Sequence, residues 1–162
     1  MLRRLLVFLI VTAGILAAAF FGLTRRFTVP ANAMAPTMKS GDQVAVFRWF
    51  SSPSRKDIVV FFATPHPGCG TSRANVERVI GLPGETVEER DGVVSIDGRQ
   101  LAEGYVKLRD HGTNRWRVPS GSYLVMGDDR RSRCNFRGTV PKKDIVGKVL
   151  YTYWPAGRIS IS

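Results

Sequence analysis

The sequence predicts a mainly β fold, an N-terminal transmembrane helix followed by a domain built from antiparallel strands. Three observations carry that reading. Leu5 to Leu23 contains no charged residue and runs through Val7, Phe8, Ile10, Ile15, Phe20 and Phe21, close to the roughly 20 apolar residues a bilayer-crossing helix needs. Beyond it, short β-forming segments alternate with Gly, Pro and Asp turns, and almost no stretch keeps a helical period. With 162 residues, 44% of them hydrophobic, the chain can bury one sizeable core, which makes a single globular domain the expectation.

Taken in order, residues 1–4 form a short cytoplasmic N-terminus, 5–23 the anchor, and 24–162 the β domain. Arg3 and Arg4 precede the apolar run and Arg25 and Arg26 follow it, so the loop-charge rule for orientation is nearly balanced. A cleaved secretory signal is the competing reading, because Ala17-Ala18-Ala19 and Ala31-Asn32-Ala33 both fit a small-x-small site. The run is long for a signal core and the second site lies well past it, which favours the anchor. Either way the domain is expected to leave the cytosol.

Val44-Ala45-Val46-Phe47 follows the Gly41-Asp42 turn, and 57–62 is a continuous apolar run of the kind a strand buried on both faces shows. These are expected to be neighbouring core strands. From Thr86 to Leu101, β-formers flank Asp91-Gly92 and Asp97-Gly98, and Asp-Gly between such runs is the strongest short hairpin signal. The segments 65–75 and 107–120 are polar and turn-rich and read as surface loops. Strands resume at Tyr123-Leu124-Val125-Met126 and at 145–154.

The formal net charge is +11, but the basic residues are scattered rather than gathered into one run. A basic domain beside an anionic lipid surface accounts for the charge, and no nucleic acid is expected. Cys69 and Cys134 are the two cysteines, and an even count outside the cytosol suits a disulfide. With only His66 and His111 present, neither a metal site nor a Ser-His-Asp triad has enough to draw on. No cofactor is expected, and both histidines read as exposed loop residues.

Three separated segments carry chemistry. The first is Ala33-Met34-Ala35-Pro36-Thr37-Met38 with Gly41-Asp42. The second is Glu77-Arg78-Val79-Ile80-Gly81-Leu82-Pro83-Gly84-Glu85. The third is Met126-Gly127-Asp128-Asp129-Arg130, continuing to Arg137-Gly138 and Val140-Pro141. Each alone is ordinary turn or core chemistry. Together, and in this order behind an apolar helix, they resemble the boxes of the type I signal peptidase family, with Arg55-Lys56-Asp57-Ile58-Val59-Val60-Phe61 similar to the strand box between the first two. The resemblance covers essentially the whole chain.

What the resemblance implies is peptide-bond hydrolysis by a serine whose proton is taken by a lysine. A hydroxyl is a weak nucleophile until a base lies within hydrogen-bond reach, and a lysine is a base only when desolvation leaves it neutral. The family places the serine before Met34 and the lysine before Arg78. Those positions hold Ala33 and Glu77. Ala31 also lacks the hydroxyl that some members add to the oxyanion hole. Aligning Gly127 and Arg137 with the third box puts Arg133 at a serine that orients the lysine, Asn135 at an aspartate and Phe136 at the adjacent serine. Met34, Pro36, Thr37, Arg78, Gly127, Asp128, Arg130 and Arg137 keep the pattern of the groove and scaffold.

The expectation is therefore a catalytically inactive member of that family at the plasma membrane, single-pass, its domain on the extracytoplasmic side. Its expected partners are membrane lipid and, in an extended-peptide groove, signal peptides or preproteins and the secretion machinery. Two alternatives stand beside it. One is an active signal peptidase, or one inactivated by engineering, including a form in which Thr37 or Ser40 substitutes as nucleophile with Glu77 as base. The other is a membrane-tethered structural or assembly factor. The resemblance further implies that Cys69 and Cys134 pair and that Asp128 pairs with Arg78. Reading Glu77 and Arg133 together suggests a salt bridge in the space of the lost lysine, against the alternative that both reach solvent independently.

Overall fold

The computed structural model describes residues 2–48, 52–64, 69, 72–155 and 160–161. The apolar N-terminal run forms the helix α1 Leu2–Leu23, and side chains such as Phe8, Ile10 and Ile15 are exposed along it. Among the described residues no helix is long and apolar enough to cross a membrane. The helix expected over 5–23 is thus present, while its membrane-crossing character is not met by those residues.

The chain then makes β1 Thr24–Thr28 and, after a single 3-10 turn at Asn32–Met34, β2 Gln43–Phe47. Next come β3 Ile58–Phe62, β4 Ala74–Gly81, β5 Thr86–Arg90, β6 Val93–Ile96, β7 Arg99–Gln100 and β8 Asn114–Arg117. The last are β9 Ser122–Met126, β10 Arg137–Pro141, β11 Ile145–Trp154 and β12 Ser160–Ile161. Every strand pairing is antiparallel. The larger sheet runs β1-β2-β11-β3-β4-β9-β10 with β12 on β11, and the smaller runs β7-β6-β5-β8.

The strands expected at 44–47 and 57–62 form and are buried, but they are not neighbours. β11 lies between them, its later half on β2 and its earlier half on β3, with Lys148 opposite both Phe47 and Val59. A strand of 10 residues with bulges is long enough to serve both, which no local pattern reveals. The hairpin at Asp91-Gly92 is present, as β5–β6. Its turn residues have φ 49° and 73°, the left-handed pair of a type I′ turn, which Asp tolerates and Gly adopts freely.

Two expected loops are partly strand. β4 begins at Ala74, and β8 occupies 114–117 inside the polar 107–120 stretch. β8 is an edge strand that keeps Trp116 against the core and leaves Arg115 and Arg117 exposed, so its charges are compatible with pairing. The sheets meet where Ile80, Leu124 and Met126 of β4 and β9 pack on Val87, Val94 and Val118. Behind the other part of the large sheet, Met34 and Met38 join Val44, Val46, Ile58, Val60 and Val149 in the core. That packing fixes the segment carrying Ala33 beside β4.

Candidate active site

Ala33 lies in the 3-10 turn, and Glu77 lies on the central strand β4 between β3 and β9. The two line one cavity of about 20 Å³ together with Ala31, Cys69, Cys134 and Phe136. Such a volume holds about one water-sized group. The close approach is made possible by Gly127. A Cβ there would stand 2.4 Å from the Ala33 carbonyl oxygen, 2.7 Å from Glu77 Oε2 and 3.0 Å from Asn135 Cγ. Any larger side chain at 127 would displace all three.

The loop after β9 closes over the acid. Asn135 accepts a hydrogen bond from the Gly127 N–H at 2.8 Å and donates to the Asp129 carbonyl at 2.9 Å. The Phe136 N–H donates to Glu77 Oε1 at 2.9 Å, and the Phe136 ring meets Phe61 edge-on at 5.1 Å. Cys134, one residue before this pair, is disulfide-bonded to Cys69 with Cα atoms 5.4 Å apart, within the reach of an unstrained bridge. Glu77 Oε2 is buried with no hydrogen-bond partner among the described residues. Burial pushes the Glu77 carboxyl well above the usual carboxylate range, with the Phe136 N–H opposing, Asp128 adding to the rise, and Arg130 and Arg137 opposing it.

The Glu77–Arg133 salt bridge is not formed. Arg133 is exposed, and no cation among the described residues lies within ion-pair distance of Glu77. The physical reason is the position of the main chain. The Phe136 amide satisfies Oε1, the cavity beside the acid holds only about one water-sized group, and a solvated Arg avoids the cost of burial.

The other face of β4 is different. Arg78 donates to Asp128 through Nε at 2.8 Å and Nη2 at 2.6 Å, and to the Lys56 carbonyl through Nη1 at 3.0 Å. Its guanidinium lies 4.1 Å from the centroid of Tyr105. Thr37 donates to Asp128 at 2.5 Å, so its hydroxyl braces the scaffold and does not address Glu77. Ser40, exposed, donates to the Pro30 carbonyl. Neither hydroxyl is placed as a nucleophile for Glu77. Pro36 is exposed and Met34 fully buried.

Arg130 continues this network. It is buried, donates to the Gly127 carbonyl at 2.7 Å, and contacts Glu103 at 2.5 Å and Glu89 at 3.9 Å. Arg137 contacts Glu89 at 3.2 Å and Asp110 at 2.6 Å. Sequence reasoning found both arginines and missed the acids Glu89, Glu103 and Asp110 and the ring of Tyr105. One signal was available: Glu89 stands in phase with the apolar Val87 on β5, on the inward face of the hairpin. Glu103 and Asp110 lie in irregular chain, where no periodicity marks the inward side.

A family model described as signal peptidase, peptidase S26, matches residues 2–154. The signal peptidase I of Leptolyngbya laminosa is 36% identical over 140 residues, covering 81% of this chain and 69% of that protein. The probable signal peptidase I-1 of Synechocystis sp. is 35% identical over 152 residues, covering 86% and 75%. A solved signal peptidase I from Enterococcus faecalis V583 shares 31% identity and covers 61% of this chain and 97% of its own, with a TM-score of 0.48.

Proposed function

We propose that this chain, which belongs to the signal peptidase, peptidase S26, family, is a noncatalytic member that holds extended signal-peptide-like chains without cleaving them. The observation that carries the reading is the pairing of Ala33 with Glu77 at one cavity. A methyl group has no lone pair to attack a carbonyl, and a neutral carboxylic acid cannot take a proton. In subtilisin, loss of the nucleophile or its base costs on the order of 10⁶ in turnover. Holding a peptide needs neither group, since strand-like pairing draws affinity from main-chain hydrogen bonds and selectivity from small pockets.

Two observations support a position at a membrane surface, with the domain outside the cytoplasm. The full sequence from Leu5 to Leu23 is uncharged, and this stretch lies in a helix on which Leu5, Phe8, Ile10 and Ile15 are exposed, a face suited to lipid. The Cys69–Cys134 disulfide suits an oxidising compartment. Secretion machinery is a further expected neighbour. The test is photocrosslinking of a synthetic apolar peptide with an Ala-x-Ala core to the full chain in detergent, with the recovered peptide weighed by mass spectrometry. Crosslinks near Ala33 and a peptide of unchanged mass are expected. Cleaved peptide would overturn the noncatalytic reading; no crosslink would leave the domain a tethered structural or assembly factor.

A further inference from the structure

Glu77 Oε1 is satisfied by the Phe136 N–H, whereas Oε2, equally buried, has no partner among the described residues. Leaving a buried polar atom unpaired is costly enough that native structures rarely do it without a use. Oε2 lies 2.7 Å from where a Cβ on Gly127 would stand, beside the Ala33 carbonyl, and Glu77 lines a cavity whose other lining residues include the exposed Thr64 and Ser72. Ala31, on the same wall, has the extended backbone of a strand, φ −150° and ψ 172°. Ala31 thus sets an extended backbone beside a cavity with room for about one small polar atom next to the acid.

The charged groups that face Glu77 are Asp128, after β9, and Arg130 and Arg137, from the loop and β10. Both arginines are already engaged, by Glu103, Glu89 and Asp110, and Arg133 turns to solvent. Burial outweighs them and keeps the acid protonated well above the ordinary carboxylate range. A protonated carboxyl is a donor, and an ionised one accepts only.

We propose that Glu77 reads and releases peptide: its Oε2–H donates a hydrogen bond to a main-chain carbonyl of an extended peptide laid over Ala33, and ionisation of the same carboxyl expels that peptide. The proposal rests on the peptide-holding reading above. It adds to that reading one contact, between the Glu77 carboxyl and a main-chain carbonyl, and a control by pH. A carbonyl facing the acid gains a hydrogen bond; facing the carboxylate it meets a second acceptor in a dry site.

The experiment measures the affinity of a fluorescent Ala-x-Ala peptide for the full chain in detergent micelles from about pH 5 to about pH 9, a range above the ordinary glutamate value near 4.3. Wild-type affinity should fall about tenfold or more with rising pH, as expected for loss of one buried hydrogen bond. Glu77→Gln, whose amide donates at every pH, should bind evenly across the range at the acid-limit affinity. Independently of any variant, the ¹³C titration midpoint of Glu77 should move to higher pH when peptide saturates the protein, because coupling between the two equilibria is reciprocal. A flat wild-type profile, an unmoved midpoint, or a slope surviving in Glu77→Gln would overturn the gate and leave peptide binding standing. No binding by either protein at any pH would overturn both.

Discussion

Glu77 and Arg78 are adjacent on β4, and their side chains leave the strand on opposite faces. On one face Arg78 has its charge and its donors engaged by Asp128, the Lys56 carbonyl and Tyr105, and the network extends through Glu103 and Arg130 to Glu89, Arg137 and Asp110. On the other, Glu77 lines a small cavity and holds one hydrogen bond and one oxygen with no partner among the described residues. Both faces are dry. The difference is that ionised groups survive burial where opposite charges and hydrogen bonds surround them, and a lone carboxyl survives by keeping its proton. The Arg78 face continues into pairs such as Arg137–Glu89 that link the two sheets, and the Glu77 face has no such network among the described residues.

The largest effect should come from opening the Arg78 face. Asp128→Ala leaves Arg78 buried without its bidentate partner and should cost about 3–5 kcal/mol in denaturant unfolding. A loss below about 1 kcal/mol would mean the pair is solvated like a surface bridge. Next is the cavity wall. Removing the disulfide with Cys69→Ala, Cys134→Ala should cost about 4 kcal/mol in the chain-entropy model for a separation of 65 residues. Urea midpoints of the oxidised protein and this variant give the figure.

Opposite pH slopes sharpen the contrast further. Because Glu77 titrates above its unfolded value, near 4.3, the folded state binds its proton more tightly. Its contribution is present at low pH and is lost as pH rises from that value through the folded one. Wild type should therefore weaken with rising pH relative to Glu77→Gln, which keeps an acceptor for the Phe136 N–H. A constant difference between the two across pH would contradict this. The smallest effect should be at Asp110, where burial raises the carboxyl but the hydrogen bond and charge of Arg137 outweigh it and hold it low. Its stabilisation is present above the unfolded value near 3.9 and lost as pH falls through the folded one. Asp110→Asn should cost at most about 1 kcal/mol at neutral pH, since the pair is partly exposed, and should flatten the acid limb.

Much of the fold was legible where a local rule decides the outcome. The Asp91-Gly92 turn needs a left-handed pair, and 58–62 is apolar on both faces. The pairing order was not legible, because β11 reaches β2 and β3 across about 100 residues of chain to β2, and β1 and β10 carry edge-strand charges that mask their pattern. At the site, the positions of Ala33 and Glu77 and the partners Arg78 and Asp128 could be read from the boxes. Arg133 could not be placed, since whether a loop side chain turns inward depends on the neighbouring main chain, here the amide of Phe136. The acids Glu103 and Asp110 were hidden for the same reason.

The most direct measurement is cleavage of a purified preprotein with an Ala-x-Ala junction by the full chain in detergent, beside the double variant Ala33→Ser, Glu77→Lys. Wild type should yield no mature product above the protein-free rate at any pH, while processing by the variant would show that the Gly127 cradle still accepts a dyad. Mature protein released by wild type at a rate approaching that of the variant would contradict the noncatalytic reading of Ala33 and Glu77.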